Sequence, residues 1–267
     1  MANCFYPEPI VIKFKQKWRE ILSLYRWLPF ILPIAVFLIV GSFEPKPPDS
    51  NGASTSWPSV PYRFYPWIYA TKLLATLIAL GLVWPDYKPH MRSIGWKGIV
   101  VGIVGGVVWI TICKWNWEQT TLHPLLKSLR LDSLLGTGLR SAFNPFVELS
   151  GNKFGIAIYL AIRGIGLILV VPVMEEYFLR GFVIRYFASD NWWSFPIGQL
   201  TVLSAFVGTA LPMLMHPGEL LAAAVWFSLI SILAWHTKNL WECIAAHCVT
   251  NLVLGIYVIT TGAWWLV

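Results

Sequence analysis

Charge is scarce in this chain. Of its 267 residues only 12% are Asp, Glu, Lys or Arg, about half of what a soluble domain carries. With 57% hydrophobic residues and a mean hydropathy of +0.61, that scarcity excludes an ordinary water-soluble domain and points to a polytopic membrane protein. Cysteine is scarce too. The four residues Cys4, Cys113, Cys243 and Cys248 form no C-x-x-C, and Cys243 and Cys248 lie in an apolar segment. That leaves neither a disulfide framework nor a cysteine-based metal site. There is no H-E-x-x-H zinc signature and no internal repeat, which counts against inverted-repeat transporters. A cleavable signal peptide is not visible, because the first apolar run starts late and follows a long basic stretch. The net charge of +7 resides in loops and near helix ends, so it reads as orientation signal and lipid-surface contact, with no nucleic-acid partner. Tryptophan is abundant instead, with 16 residues, as expected of interfacial anchoring.

The apolar segments predict an all-α, polytopic helical bundle forming a single integral membrane domain over 1–267. Residues 1–26 carry Lys13, Lys15, Lys17, Arg19 and Arg26, with Ile10, Ile12, Phe14, Trp18, Ile21 and Leu22 between them. They read as a basic amphipathic segment on the cytoplasmic leaflet, a disordered basic tail being the alternative. Spans follow at 27–43, 64–84, 99–113, 154–187, 195–215, 220–235 and 240–257, at about 20 residues per crossing. Residues 154–187 exceed one span and predict a long kinked helix or a span with a surface extension, so the count is about seven to eight. The stretch 44–61, rich in Pro, Ser, Gly and Asn, reads as a solvent loop. Within 115–153, Leu122, Leu125, Leu126 and Leu129 have helical spacing and suggest a surface-lying helix. Gly102, Gly105 and Gly106 permit close helix packing, and Lys72 inside the second span must snorkel or meet a buried partner. Lys88, Arg92 and Lys97 place 85–97 in the cytoplasm with the N-terminus, and an odd number of spans puts Val267 on the other side.

The sequence Val171-Pro-Val-Met-Glu-Glu-Tyr-Phe-Leu-Arg-Gly181 breaks the apolar pattern most sharply. Each ionisable group near a bilayer's centre costs roughly 3 kcal/mol, and here three fall within six residues. On a helix Glu176 and Arg180 are i,i+4 and can pair, while Glu175 lies about 100° away and can face a cavity. Pro172 cannot donate to the carbonyl of Ile168, which predicts a kink just before the glutamates. A purely structural ion pair is the competing explanation. Other polar groups stand in apolar segments: His216 at the end of one, and His247 and Asn251 four apart on one face of the last. A hydrogen bond between helices would also account for that last pair. Together the six form a set that is stable facing itself around water, in a polar cavity between the C-terminal helices. The set supplies a base, proton carriers and an oxyanion stabiliser.

Glu175-Glu176-x-x-x-Arg180, then His216, then His247-x-x-x-Asn251 resembles the EExxxR, FxxxH and HxxxN motifs of the CPBP family, the membrane-embedded type II CAAX prenyl endopeptidases and their bacterial relatives. The run from Val170 to Glu176 and the tail from Asn251 to Trp265 look closest to the CAAX-protease-related proteins of bacterial exosortase systems. The resemblance covers the C-terminal half, with 154–267 as the catalytic helices, and departs at Pro212, where the family has Phe four residues before the histidine. It implies an intramembrane endopeptidase of the bacterial inner membrane acting on a membrane protein or peptide, with exosortase-system components as candidate partners. Glu175 would activate the attacking water, and Glu176 and Arg180 would hold it or share proton traffic. His247 and Asn251 would stabilise the oxyanion, and His216 would position water or substrate. No cofactor is favoured. Zinc held by Glu175, His216 and His247 is the chemical alternative. A catalytically idle scaffold or immunity-type binding protein of the same fold, and a proton-coupled transporter, are the competing functional classes.

Overall fold

The computed structural model describes residues 10–47, 60–130 and 142–266, and every regular element among them is helical. Cys4, most of the 44–61 loop, part of 115–153 and the side chains of Ile10, Ile12 and Phe14 lie outside the described residues. Helix α1 (Ile10–Leu24) meets α2 (Leu28–Gly41) at a bend of 102°. Pro29 stands in the first turn of α2, where a missing N–H costs nothing. α1 turns Lys13, Lys15, Lys17 and Arg19 to solvent and buries Leu22. It is fastened to the end of α3 (Tyr65–Tyr87) by Trp18 Nε1, which donates to the Leu82 carbonyl at 3.0 Å, and by Arg19 on Asp86 at 2.9 Å.

Lys72, the charge in the middle of α3, meets a buried partner. Its ammonium pairs with Glu44 and lies over the rings of Phe37 (4.2 Å) and Tyr69 (4.8 Å). Glu44 comes from the edge of the expected solvent loop, so that edge is folded inward.

Helix α4 (Trp96–Trp115) packs parallel to the last helix, α8 (Leu240–Thr261), through its glycines. A Cβ on Gly102 would stand 2.6 Å from both the Ala246 carbonyl oxygen and Val249 Cβ. The buried Glu242 carboxylate of α8 accepts from the amides of Gly95 (2.7 Å) and Gly98 (2.5 Å). This satisfies orphan donors at the start of α4 with a negative charge at the favourable end of its dipole.

The glutamate-bearing helix, α5, runs unbroken over 36 residues, Lys153–Ala188. Two π-helical segments, Gly166–Val170 and Tyr177–Val183, bracket one α-helical turn, Val171–Glu176. Where Pro172 predicts a kink, the helix switches its hydrogen-bond pattern: the Val171 amide reaches back five residues to the Gly166 carbonyl. A π segment of this kind takes up a local mismatch in the α ladder. Helices α6 (Val202–Met215) and α7 (Leu220–Thr237) complete the bundle. Thr201 and Ser204 form a capping box on α6, and Gly262 ends α8 at φ +74°. The core is centred on Trp226, Phe227, Ile230 and Leu233 of α7, packed on Leu179 and Val183 of α5 and on Ala246 and Leu254 of α8.

Among the described residues, five helices are long and apolar enough to cross a membrane: α3 with its flanking turns, α4, α5, α7 and α8. The bent α1–α2 pair makes a sixth if taken as one span. The expected spans at 27–43 and 195–215 are realised as helices of 14 residues each, about 21 Å long at 1.5 Å per residue. Of the surface helix foreseen in 115–153, the described residues form a π turn at Glu118–Leu122 and the short helix His123–Ser128, with a further short helix at Pro145–Glu148.

Candidate active site

The turn Val171–Glu176 presents its two carboxylates to different surroundings. Glu176 is 0% exposed and Arg180 1%. Glu176 Oε1 accepts from Arg180 Nη1 at 3.2 Å and from His247 Nδ1 at 3.0 Å. A second guanidinium nitrogen, Arg180 Nη2, donates to the Phe227 carbonyl at 3.1 Å. The charge of Glu176 therefore locks α5, α7 and α8 to one another. Because Nδ1 of His247 faces a carboxylate, that nitrogen carries the proton and Nε2 is turned toward Glu175, whose Oε2 lies 3.9 Å away. This gap is too wide for a direct hydrogen bond.

Glu175, His216, His247 and Asn251 line a single cavity of about 340 Å³; Glu176 and Arg180 lie behind its wall. Asn251 Nδ2 donates to the Leu167 carbonyl at 2.7 Å, which fixes the amide plane. His216 ends α6 beside Pro217, and its Nδ1 lies 2.9 Å from the Pro212 carbonyl. A carbonyl can only accept, so Nδ1 is the protonated nitrogen here. The imidazole is thus aimed by the backbone oxygen of Pro212, a group that any residue at that position would supply. Its ring lies edge-on to Trp109 at 5.6 Å, and the His247 ring is similarly set against Trp226 at 4.5 Å.

The other wall of the cavity is polar and comes from the first part of the chain: Glu44, Tyr65, Tyr69 and Lys72, with Arg163 from α5. Arg163 lies over the Tyr69 ring at 4.6 Å. Of these, Lys72 was signalled by its charge within an apolar run; Glu44, Tyr65 and Tyr69 gave no sign in the sequence. Trp109 and Trp226 were equally silent, since a tryptophan in an apolar helix reads as core or interface. Thr250, one turn from His247, accepts from Trp226 Nε1 at 3.0 Å and donates to the Gly102 carbonyl at 2.9 Å.

A zinc ion would need three side chains closing on one point. Among the described residues no three of His, Cys, Asp and Glu do so. The Nδ1 atoms of both histidines already serve other groups.

A helical bundle with several apolar helices, carrying Glu175, His216, His247 and Asn251 on one cavity, has the build of a multi-pass membrane protein with a polar site inside it. Residues 157–253 match the family model described as "Type II CAAX prenyl endopeptidase Rce1-like". All three motifs fall within that stretch. Comparison with curated proteins and with solved structures finds no match.

Proposed function

We propose that this protein is an intramembrane endopeptidase that hydrolyses a peptide bond of a membrane-associated protein with a water activated by Glu175. The observation that carries the reading is the split between the two glutamates. Glu176 is tied to Arg180 and His247, while Glu175 borders the cavity with His247 Nε2 3.9 Å from its Oε2. A water seated between these atoms would give its proton to Glu175 as its oxygen attacks the scissile carbonyl carbon. The carbonyl oxygen becomes an oxyanion, which Asn251 Nδ2 would stabilise, joined by His247 Nε2 when the imidazole holds a second proton. Glu175 then returns the proton to the leaving amine as the C–N bond breaks. Two carboxylates and one guanidinium leave one negative charge in this cluster. A single proton carried between Glu175 and His247 neutralises it, which suits a site removed from bulk water. His216, aimed by the Pro212 carbonyl, would orient water or substrate from the opposite wall.

The finer assignment follows the wording of the motifs. We place the protein in a bacterial inner membrane with its N-terminus in the cytoplasm, beside the CAAX-protease-related proteins of exosortase systems, whose components would be its partners. The test compares new C-termini in the membrane proteome of cells carrying the wild type and Glu175→Gln. Cleavage products present only with the wild type are expected; identical proteomes would remove the enzyme reading.

A further inference from the structure

A second cavity, of about 420 Å³, opens where the α3–α4, α5–α6 and α7–α8 connections meet, and the proposed peptidase chemistry makes no use of it. Arg92 and His90 enter it from the first connection, Arg185 from the end of α5, Ser194 and Gln199 from the second connection, and Lys238 from the third. Three permanent cations line it and, among the described residues, no Asp or Glu does. None of the three forms an ion pair with a carboxylate among the described residues.

Backbone carbonyls hold these cations in place without neutralising them. Arg185, only 5% exposed, donates to the carbonyls of Phe195 (2.7 Å), Trp193 (2.7 Å) and Gly181 (2.9 Å). Lys238 Nζ donates to the Gly198 carbonyl at 2.7 Å and Arg92 Nη1 to the Lys238 carbonyl at 3.2 Å. Arg92 has five N–H donors and Lys238 three; each gives one to these bonds, and the others remain for a ligand.

The surroundings set the depth. Arg26 lies over Trp193 at 5.0 Å and Lys238 over Trp235 at 5.6 Å, and tryptophans of this kind mark the membrane–water interface. The basic helix α1 is fastened to the same end of the bundle through Leu82 and Asp86. Two exposed cations above a buried one, none paired with a carboxylate among the described residues, at headgroup depth and beside a basic surface, are suited to one ligand chemistry, a tetrahedral oxyanion. We propose that this cavity binds the phosphate of an anionic phospholipid headgroup between Arg92 and Lys238, with Arg185 supplying a fixed charge beneath. The proposal rests on the membrane reading of the chain and is independent of whether the Glu175 site cleaves peptides.

The test uses the purified full chain in detergent, with short-chain phosphatidylglycerol, short-chain phosphatidylcholine and inorganic phosphate as separate probes. Native mass spectrometry reads binding and a thermal shift reads stabilisation. Phosphatidylglycerol should bind in preference to phosphatidylcholine, and Arg92→Gln or Lys238→Gln should each weaken it about tenfold, as loss of one charge-assisted hydrogen bond does. Arg92 is exposed, so Arg92→Gln leaves folding intact and serves as the clean variant. Replacing Lys13, Lys15 and Lys17 together by Gln should leave the tight site in place. If that triple variant abolishes binding and Arg92→Gln does not, the site is the α1 surface and the proposal falls. Equal binding of phosphatidylcholine overturns it as well. Inorganic phosphate that binds as tightly as the lipid, and is lost in Arg92→Gln, would retain the oxyanion site and overturn the lipid as its source.

Discussion

A helix turns about 100° per residue, and that rotation alone gives adjacent carboxylates separate tasks here. Glu176 points to Arg180 and His247, and Glu175 points to the cavity. Substitution should therefore separate stability from turnover. Glu175→Gln should keep the melting temperature near that of the wild type and lower cleavage by about 10² or more. Glu176→Ala leaves the Arg180 guanidinium buried without its carboxylate, at a cost of about 3–5 kcal/mol. Thermal unfolding in detergent distinguishes the two, and a Glu176→Ala protein as stable as the wild type would contradict the locking role. The six motif positions were legible in the sequence because polar groups in apolar runs are conspicuous. The division between the two glutamates was legible too, since Glu176 is the one four residues before Arg180. The partners that hold that pair were not: the Phe227 carbonyl on Arg180 and the His247 ring on Glu176 lie 47 and 71 residues away in the chain, and periodicity carries no information about such contacts. Lys72 was conspicuous and its partner Glu44 was not, since Glu44 stands in a stretch whose composition reads as solvent loop.

Among the elements, the pairing of α4 with α8 is the contact that carries the site, because α8 holds His247 and Asn251. The glycines of α4 announced close packing, but not that the partner would be the last helix. Gly102→Val should force the two helices apart and cost about 1–3 kcal/mol, as overpacking does, with activity falling in parallel. Gly255→Ala is the control, as a Cβ there meets nothing within 4 Å and Ala is the better helix former, so the melting temperature should not fall. At the far end of α7, Glu118 accepts from the amides of Leu220 (2.9 Å) and Leu221. Burial raises its carboxyl above the ordinary 4.5, outweighing the amide bonds that lower it. A raised value in the folded state means that the carboxyl's contribution to stability is fully present below about pH 4.5 and declines as pH rises through the raised value. Glu118→Gln cannot ionise, so its stability should fall less than the wild type's from about pH 4.5 upward. Melting curves of both proteins across that window check the sign; a wild type that gains on the variant as pH rises would refute it.

Over the whole molecule, hydrogen bonds between connections record which ends of the helices lie together. Arg92 on Lys238, Asn239 on Ser93 and Lys238 on Gly198 gather the α3–α4, α7–α8 and α5–α6 connections at one end, the end that also holds α1. In the orientation proposed above, with the basic residues of 13–26 and 88–97 on the cytoplasmic side, α8 would run outward. A reporter that is active only in the cytoplasm should therefore be silent when fused after Val267 and active when fused within the α5–α6 connection. The opposite pair of results would invert the orientation. The bundle class was legible from hydropathy alone. The short α2 and α6 were not, because apolar runs continue past the ends of the helices they contain.

The two π segments of α5 have a genetic consequence. A π turn is an α-helix that has taken in one residue without disturbing the register on either side, so the residue can be given back. Loss of one codon inside Gly166–Val170, such as that for the outward-facing Leu169, should return this segment to an α ladder and leave the glutamates on their original face. Loss of one codon inside Val171–Glu176, such as that for Val173, has no such slack to draw on and should rotate one part of the helix against the other by about 100°. In a library of single-codon deletions, survivors along α5 would then cluster at the π segment, and the turn that carries the carboxylates would be a gap between them.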